Sequence, residues 1–492
     1  MITTVADSLN KLRGGEGDSS YARTTRLKVW KTVSRSADAG SYVLDVSCQS
    51  KAAQFQWQTG VPESQGMSSS KLAALKRSLA AHSTTMFLVV RNDAIVCEWY
   101  ASKYNQTTKY SEASMAKGLV GGVALALALS DGRLSVDESA VDLVPAWIGL
   151  SDKSQITIRQ LATHTSGLDD AEQGDLPHDK LTGWKGNFWK NLPPPNDPFT
   201  ISRDQAPVLF PPGTMSLYSN PGYAMLAYAI TRSLATAPQK DLRTLLRDRI
   251  MRPIGVADTD WKVGYSTTFH VDGLPLVPTW GGAAYTARAV ALVERLLLRR
   301  GDWQGVQLIN PDVVDLMTHY AGGESSGLGW WPNVINQCGQ KLPKDAYVAL
   351  GSGHEVALVA PSLNLLMVRN GGVLASSDDF LAPIIQYLFD PLMDTFLNVG
   401  PAVNAGPDQS VSAGASVSLN AAVSDDGFPL PPRITSLWTL VGGPGVATFD
   451  HPSSLSTNVS FSQTGTYTLR ITVSDGDQPS SDDVIISVLP AV

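Results

Sequence analysis

Cysteine is scarce in this chain. Cys48, Cys97 and Cys338 are the only three in 492 residues, too few and too scattered for a disulfide framework or a metal cluster. They are expected as buried or half-buried free thiols. An excess of positive charge is also missing: 38 Lys and Arg stand against 45 Asp and Glu, for a formal net charge of −7. No run of Lys and Arg offers a polyanion track, which excludes nucleic acid as a partner. The first residues, MITTVADSLNKLRGGEGDSSYARTT, lack the apolar core of a signal peptide. Long apolar runs are few, and the one at 116–129 is shorter than the ~18 residues that read as a membrane span. What is abundant is ordinary core material. With 43% hydrophobic and 17% charged positions, the chain has room for two or three soluble domains.

That apolar run belongs to the stretch around which the chain is organised, YSEASMAKGLVGGVALALALS from Tyr110 to Ser130. After Lys117 it carries no charge and no polar stripe, so a helix here is a core helix, buried on every side. Gly118, Gly121 and Gly122 each cost about 1 kcal/mol of helix propensity against Ala, and are read as places where neighbours pack close to the backbone. Ser114 and Lys117 are three apart at its head, on one helix face. A serine hydroxyl is a weak nucleophile until a base takes its proton, and a lysine is such a base only when burial lowers its pKa. The top of an apolar helix supplies that burial, and the free N–H groups of its first turn favour developing negative charge. A second Ser-x-x-Lys, Ser68 to Lys71, precedes LAALKRSLA and reads as a serine cap on a surface helix.

In chain order, residues 1–56 carry eight Lys or Arg against five Asp or Glu, with short possible strands at 27–33 and 42–46, and no function is assigned to them. From Trp57 the pattern predicts a helix over 70–81 and two strands, 85–90 and 94–100, joined by Arg91-Asn92-Asp93. After the serine helix, Ile158 opens a short helix that runs into a turn at Thr163 to Gly167. Residues 170–213 are polar and rich in Pro, Gly and Trp, a poor core and a lid over a cleft. Trp184, Phe188, Trp189 and Phe199 either line an apolar pocket there or anchor the loop. Tyr218-Ser219-Asn220 forms a turn, with Asn220 capping a helix from Pro221. Helices follow at 242–251, 286–299 and 311–319, then strands at 346–350, 356–359 and 365–369 and a closing helix near 380–389. Strands at both ends and helices between predict one mixed α/β domain whose ends meet in a single sheet.

Composition shifts after Leu397. Residues 403–492 show short alternating strands with Gly, Pro and Asp turns, an all-β sandwich pattern with Trp438 and Tyr467 in its core. Eight Asp against two Arg give residues 401–492 a balance of −6, and the Asp425-Asp426 and Asp475 to Asp477 turns are read as solvated rather than as calcium ligands.

The order and spacing of Ser114-Met115-Ala116-Lys117, Tyr218-Ser219-Asn220 and a late Gly-rich segment resemble the serine β-lactamase and penicillin-binding-protein superfamily. The likeness is to its class C-like branch, which includes family VIII carboxylesterases, D-alanyl-D-alanine peptidases and 6-aminohexanoate-dimer hydrolases. It runs from about Trp57 to Phe396 and is supported by ITIRQLATHTSGL, PPGTMSLYSN, GGAAYTARAVA, GLGWW and VAPSLNLLMVRNGG. The tail resembles a PKD or other immunoglobulin-like module of the kind appended to secreted enzymes. The resemblance implies an antiparallel sheet with a helical region, followed by a small all-β sandwich, and domains at 1–56, 57–397 and 403–492. It implies Ser114 as the acylated nucleophile, Lys117 as its partner and Tyr218 as the proton shuttle, with Asn220 holding the lysine and the substrate carbonyl side. A phenol of pKa near 10 acts as a base only beside a cation, which Lys117 supplies. Ser352, Gly353, His354 and Glu355 then belong to the substrate and oxyanion side, one donor coming from Ser114 and the other from near His354 or Glu355. The third motif departs from the family's Lys-Thr-Gly: Gly351-Ser352-Gly353-His354-Glu355 has no lysine.

These readings lead to a serine hydrolase of small carboxylic esters, with no metal or organic cofactor. The alternatives are a D-alanyl-D-alanine peptidase or β-lactamase-type amidase, and a non-catalytic binding or surface protein whose β module contacts polysaccharide or protein. The intact Ser114, Lys117 and Tyr218 argue against the last. Gly323-Glu324-Ser325-Ser326-Gly327 fits the Gly-x-Ser-x-Gly elbow, but HYAGG before it and LGWWP after it do not supply the strand and helix such an elbow needs. The β module points to the periplasm or to secretion, and the lack of a visible signal peptide leaves the cytoplasm open.

Overall fold

A computed structural model describes residues 55–174, 176–319 and 326–491. The expected strands at 27–33 and 42–46, Cys48, and Gly323 to Ser325 of the elbow motif lie outside them. Asn92 and Asp93, at φ of 52° and 62°, close a two-residue hairpin between Thr84–Arg91 and Ala94–Tyr100. This hairpin and the late strands join one seven-stranded sheet. Its order is Gln58–Thr59, Ala94–Tyr100, Thr84–Arg91, Leu365–Gly371, Val356–Ala360, Tyr347–Leu350, Trp331–Pro332. Only the Gln58–Thr59 edge pairs in parallel.

Alternation along each strand loads both faces. Met86, Leu88 and Val90 enter the larger core with the serine helix, while Phe87 and Val89 enter a second core beneath the helix Ser69–Ala81 and the closing helical segment. Burial on both faces explains why these strands read as continuous apolar runs. Ser68 caps Ser69–Ala81 by accepting the N–H of Lys71, as the sequence suggested for this decoy pair.

The serine helix is longer and less regular than its sequence implied. It begins as a 3-10 turn at Ala113–Met115, widens to a π-helix over Lys117–Gly122 and continues as α-helix over Val123–Ser130. By length and composition the segment Ala113–Ser130 would cross a membrane, yet 78% of it is buried inside the fold. Its glycines are packing glycines. A Cβ on Gly122 would lie 2.5 Å from the Leu328 carbonyl oxygen, and one on Gly118 would lie 2.8 Å from that of Gly329.

Residues 170–213 are not a poor core. They contain the helices Gly183–Phe188 and Pro198–Asp204, and Phe188 and Phe199 are fully buried against Trp280. The free thiols Cys97 and Cys338 are half-buried and buried respectively.

The all-β segment has its own core around Trp438, Tyr467, Leu469 and Ile486. Its four-stranded sheet runs Gln409–Ser412, Pro479–Leu489, Gly465–Ser474, Thr435–Gly442. It is docked on the α/β part: Phe428 stacks on Phe396 at 4.8 Å, and Phe428 and Leu430 join the second core. Of the acidic turns, Asp426 and Asp477 are exposed, as expected, while Asp475 turns inward toward Asn398. Asp475 is buried, its Oδ1 accepting the N–H groups of Asp477 and Gln478 and its Oδ2 that of the Asn398 amide; Asp426 accepts the N–H of Val399.

Candidate active site

Ala113 sits at a φ of 41°, a left-handed conformation rare for a residue with a Cβ. The chain leaves the short strand Tyr110–Ser111, is pinned by the Glu112 N–H on the Ala283 carbonyl at 3.0 Å, and turns at Ala113 into the first turn of the helix. Ser114 is thereby set half-exposed at its head. The adjoining π-helix carries Lys117, and widened turns of this kind recur at functional sites.

Lys117 Nζ donates to Asn220 Oδ1 at 2.7 Å and to the Trp280 carbonyl at 2.8 Å, and stands 3.4 Å from Ser114 Oγ. Burial pushes its pKa down to about 7, against the opposing pull of Asp170 and Glu172. The Tyr218 hydroxyl donates to Ser114 Oγ at 2.7 Å. Burial pushes the phenol above its usual range, and Lys117 Nζ lies over the ring, 4.6 Å from its centroid. The structure thus brings together Ser114, Lys117, Tyr218 and Asn220, although Ser114 and Asn220 are a hundred residues apart in sequence.

The helix that carries Asn220 begins one residue earlier than expected. Ser219, not Asn220, is the N-cap, accepting the N–H of Gly222 at 2.9 Å. The Asn220 amide is thereby left to bridge Lys117 and Asp170, whose Oδ1 accepts Asn220 Nδ2 at 3.0 Å and the Asn220 N–H at 2.8 Å. Asp170 and His164 were not singled out in the sequence. His164 Nδ1 accepts the Ser219 N–H at 3.1 Å, and its ring stacks on Tyr218 at 4.5 Å. Burial, then Lys117, push its pKa down to about 3, so it is a neutral ring bearing its proton on Nε2. The only sequence signal for either residue was a polar turn.

Above Ser114 opens a cleft of about 780 Å³. Of the four aromatics assigned to the loop, only Trp189 lines it; the other aromatic walls are Tyr218, Tyr265, Trp280, Trp331 and Phe380. No Lys or Arg is among the described residues lining it, while Glu172 and Asp379 are.

The third motif is the turn between the strands Tyr347–Leu350 and Val356–Ala360. Gly351 and Ser352 line the cleft, but Gly353, His354 and Glu355 do not. His354 is buried with Nδ1 accepting the Leu374 N–H at 3.1 Å, and Glu355 curls back to accept the Gly353 N–H at 2.7 Å. Glu355 thus satisfies an N–H of the turn itself, and His354 ties the turn to the segment that follows the strand Leu365–Gly371.

Among solved structures, the chain resembles a Bacillus anthracis protein provisionally named a 6-aminohexanoate-dimer hydrolase, at a TM-score of 0.53 and 18% identity over 69% of this chain and 87% of that one. It also resembles a provisionally named beta-lactamase of Bacteroides dorei, at a TM-score of 0.50 and 17% identity over 66% and 98%. Such likeness shows the fold. D-alanyl-D-alanine-carboxypeptidase/endopeptidase AmpH of Escherichia coli is 32% identical over 120 residues, 24% of this chain and only 26% of that protein's length. A PKD-domain model matches residues 405–488, so the docked all-β segment is a PKD domain. The Beta-lactamase family model matches residues 73–368, the span that carries the serine helix, the Tyr218 turn and the late strands, and the chain belongs to that family.

Proposed function

We propose that this chain is a serine hydrolase that cleaves small neutral carboxylic esters through an acyl-enzyme on Ser114. The observation that carries the reading is the placement of Ser114 Oγ between the Tyr218 hydroxyl at 2.7 Å and Lys117 Nζ at 3.4 Å, at the foot of a cleft with no Lys or Arg among its described lining residues. Asn220 Oδ1 and the Trp280 carbonyl each take one N–H of Lys117. When the amine is neutral, its lone pair is left for the Ser114 proton. Lys117 is therefore the general base, and a pKa of about 7 suits it to neutral pH. Tyr218 keeps its proton, since its phenol is raised rather than lowered. It serves as a relay that protonates the leaving alkoxide and is refilled from Lys117. Ser114 Oγ bonds to the carbonyl carbon, the alcohol departs, and water cleaves the acyl ester to release the acid.

The oxyanion needs two N–H donors. Ser114 supplies one from the unsatisfied first turn. The second is Leu350 rather than His354 or Glu355. Gly351 N–H bonds to the Glu355 carbonyl inside the hairpin, so the N–H of Leu350, one residue earlier, faces the opposite edge. On that edge the neighbouring strand reaches only as far as Val348, and Leu350 borders the cleft beside Ser114.

A lysine in the third motif would contribute roughly 1.5 to 3 kcal/mol to a substrate carboxylate. Here Gly351 and Ser352 face the cleft instead, with Glu172 and Asp379 as its charges. The expected outcome is a kcat/KM for p-nitrophenyl butyrate above that for nitrocefin in the same preparation. The match to AmpH favours peptidase chemistry, and nitrocefin or D-Ala-D-Ala turnover equal to ester turnover would put that reading first.

A further inference from the structure

Resting on that hydrolase reading, we propose that His164 is a positioning residue for the reaction: it holds the Tyr218 hydroxyl on Ser114 Oγ. Ser216 to Ser219 belong to neither a helix nor a strand, so no regular ladder of main-chain hydrogen bonds fixes the phenol that must meet the nucleophile. His164 supplies the fixing from both sides. Its carbonyl accepts the N–H of Leu217 at 2.8 Å and its Nδ1 accepts the N–H of Ser219 at 3.1 Å, the two main-chain donors that flank Tyr218. Its ring then stacks on the phenol, with centroids 4.5 Å apart and planes 25° apart. The Trp331 ring lies nearly parallel to the imidazole at 5.9 Å and 10°, and Tyr223 packs on it at 5.0 Å. One residue thereby grips the main chain on either side of Tyr218 and the face of its ring.

The backbone of His164 is a separate observation pointing the same way. It stands at a φ of 60°, left-handed and strained for a residue with a Cβ, in a residue that is only 3% exposed. The strained residue offers a carbonyl and a ring nitrogen to the same segment. Nδ1 accepts only while the ring is neutral, and burial, then the charge of Lys117, keep it neutral. Without that acceptor the Ser219 N–H would be left unpaired inside the fold. Among the described residues, the hydrogen bonds of His164 go to main-chain N–H groups and that of the Tyr218 hydroxyl goes to Ser114 Oγ at 2.7 Å. His164 therefore acts on the reacting oxygen through Tyr218.

The test, on the full chain, reads the leaving group. p-Nitrophenolate departs as an anion, whereas an alkoxide needs the proton that Tyr218 delivers. p-Nitrophenyl butyrate and ethyl butyrate give the same butyryl-enzyme, so their kcat/KM values differ only through the steps that form it. Tyr218→Phe sets the scale: it should lower kcat/KM for ethyl butyrate about a hundredfold more than for p-nitrophenyl butyrate. His164→Phe keeps a ring without an acceptor and should show a differential loss of about tenfold. His164→Asn keeps an acceptor on a residue type that tolerates left-handed backbone, and should show a smaller loss of the same sense. Equal falls for the two esters in His164→Phe, or in His164→Asn should the first not fold, overturn the proposal, as does no fall at all, because a merely structural role does not discriminate between leaving groups. A crystal structure of the His164→Phe protein gives a readout independent of turnover: the Tyr218 hydroxyl should lie beyond hydrogen-bond distance of Ser114 Oγ, and an unchanged contact at 2.7 Å would also overturn the proposal. Displacement of Tyr218 without hydrolysis of any ester would sink the hydrolase reading and keep this one. A differential loss in Tyr218→Phe with none in the His164 variants would do the reverse.

Discussion

Lys117 is a buried amine at the head of an apolar helix, and its two fixed acceptors decide what it does. Because its pKa falls from the usual 10.5 to about 7, the neutral form that acts as base accumulates above that value. The kcat/KM for a neutral ester should therefore rise with pH through about 7 and then level. A profile that falls between pH 6 and 8 would contradict the assignment. Asp170 raises the Lys117 pKa, so Asp170→Asn should move the rising limb to lower pH, measured as the inflection of the same profile. The side chains of this site were legible by spacing: Ser114 with Lys117 on one helix face, and Tyr218 with Asn220 around one turn. Trp280 and Leu350 were not, because they act through a main-chain carbonyl and N–H that no residue type announces. His164 and Asp170 were hidden differently, since their partners Ser219 and Asn220 lie some fifty residues on.

At the scale of elements, alternation and apolar runs announced the sheet strands, and the glycines of the serine helix announced close packing. Gly122→Ala would press a methyl group on the Leu328 carbonyl at 2.5 Å, in a region buried on all sides. Overpacking of this kind costs about 1–3 kcal/mol, to be read as a fall in the urea midpoint with an unchanged m-value. A neutral result would mean that the helix can shift off the 328–330 segment. Residues 170–213 were misjudged as a poor core, though Glu172, Leu176, His178 and Trp189 do border the cleft, because composition alone does not say where an aromatic goes. Phe188 and Phe199 find their burial against Trp280, some eighty residues later in the chain. The third motif misled for a related reason: His354 and Glu355 are polar and near the site, yet His354 accepts the Leu374 N–H and Glu355 that of Gly353.

For the whole molecule, the PKD domain is docked by Phe428 and Leu430 but contributes no residue to the cleft lining. A chain ending at Pro401 should keep its kcat on soluble esters within about twofold and lose thermal stability, since uncovering Phe396 and removing Phe428 forfeits about 1.5–3 kcal/mol of burial. A truncated protein that folds but has lost turnover would show that the PKD domain completes the site. The sandwich was legible in the composition break after Leu397, and its acidic turns are exposed as read at Asp426 and Asp477, whereas the inward turn of Asp475 toward Asn398 exists only in the folded chain. The chemistry assigned to the whole chain converges on one oxygen atom, Ser114 Oγ, and the most direct measurement is peptide mapping by mass spectrometry after a fluorophosphonate probe. The adduct should fall on Ser114, and Ser114→Ala should abolish both labelling and ester turnover. An adduct on Ser68 or Ser325, or full turnover in Ser114→Ala, would contradict the assignment.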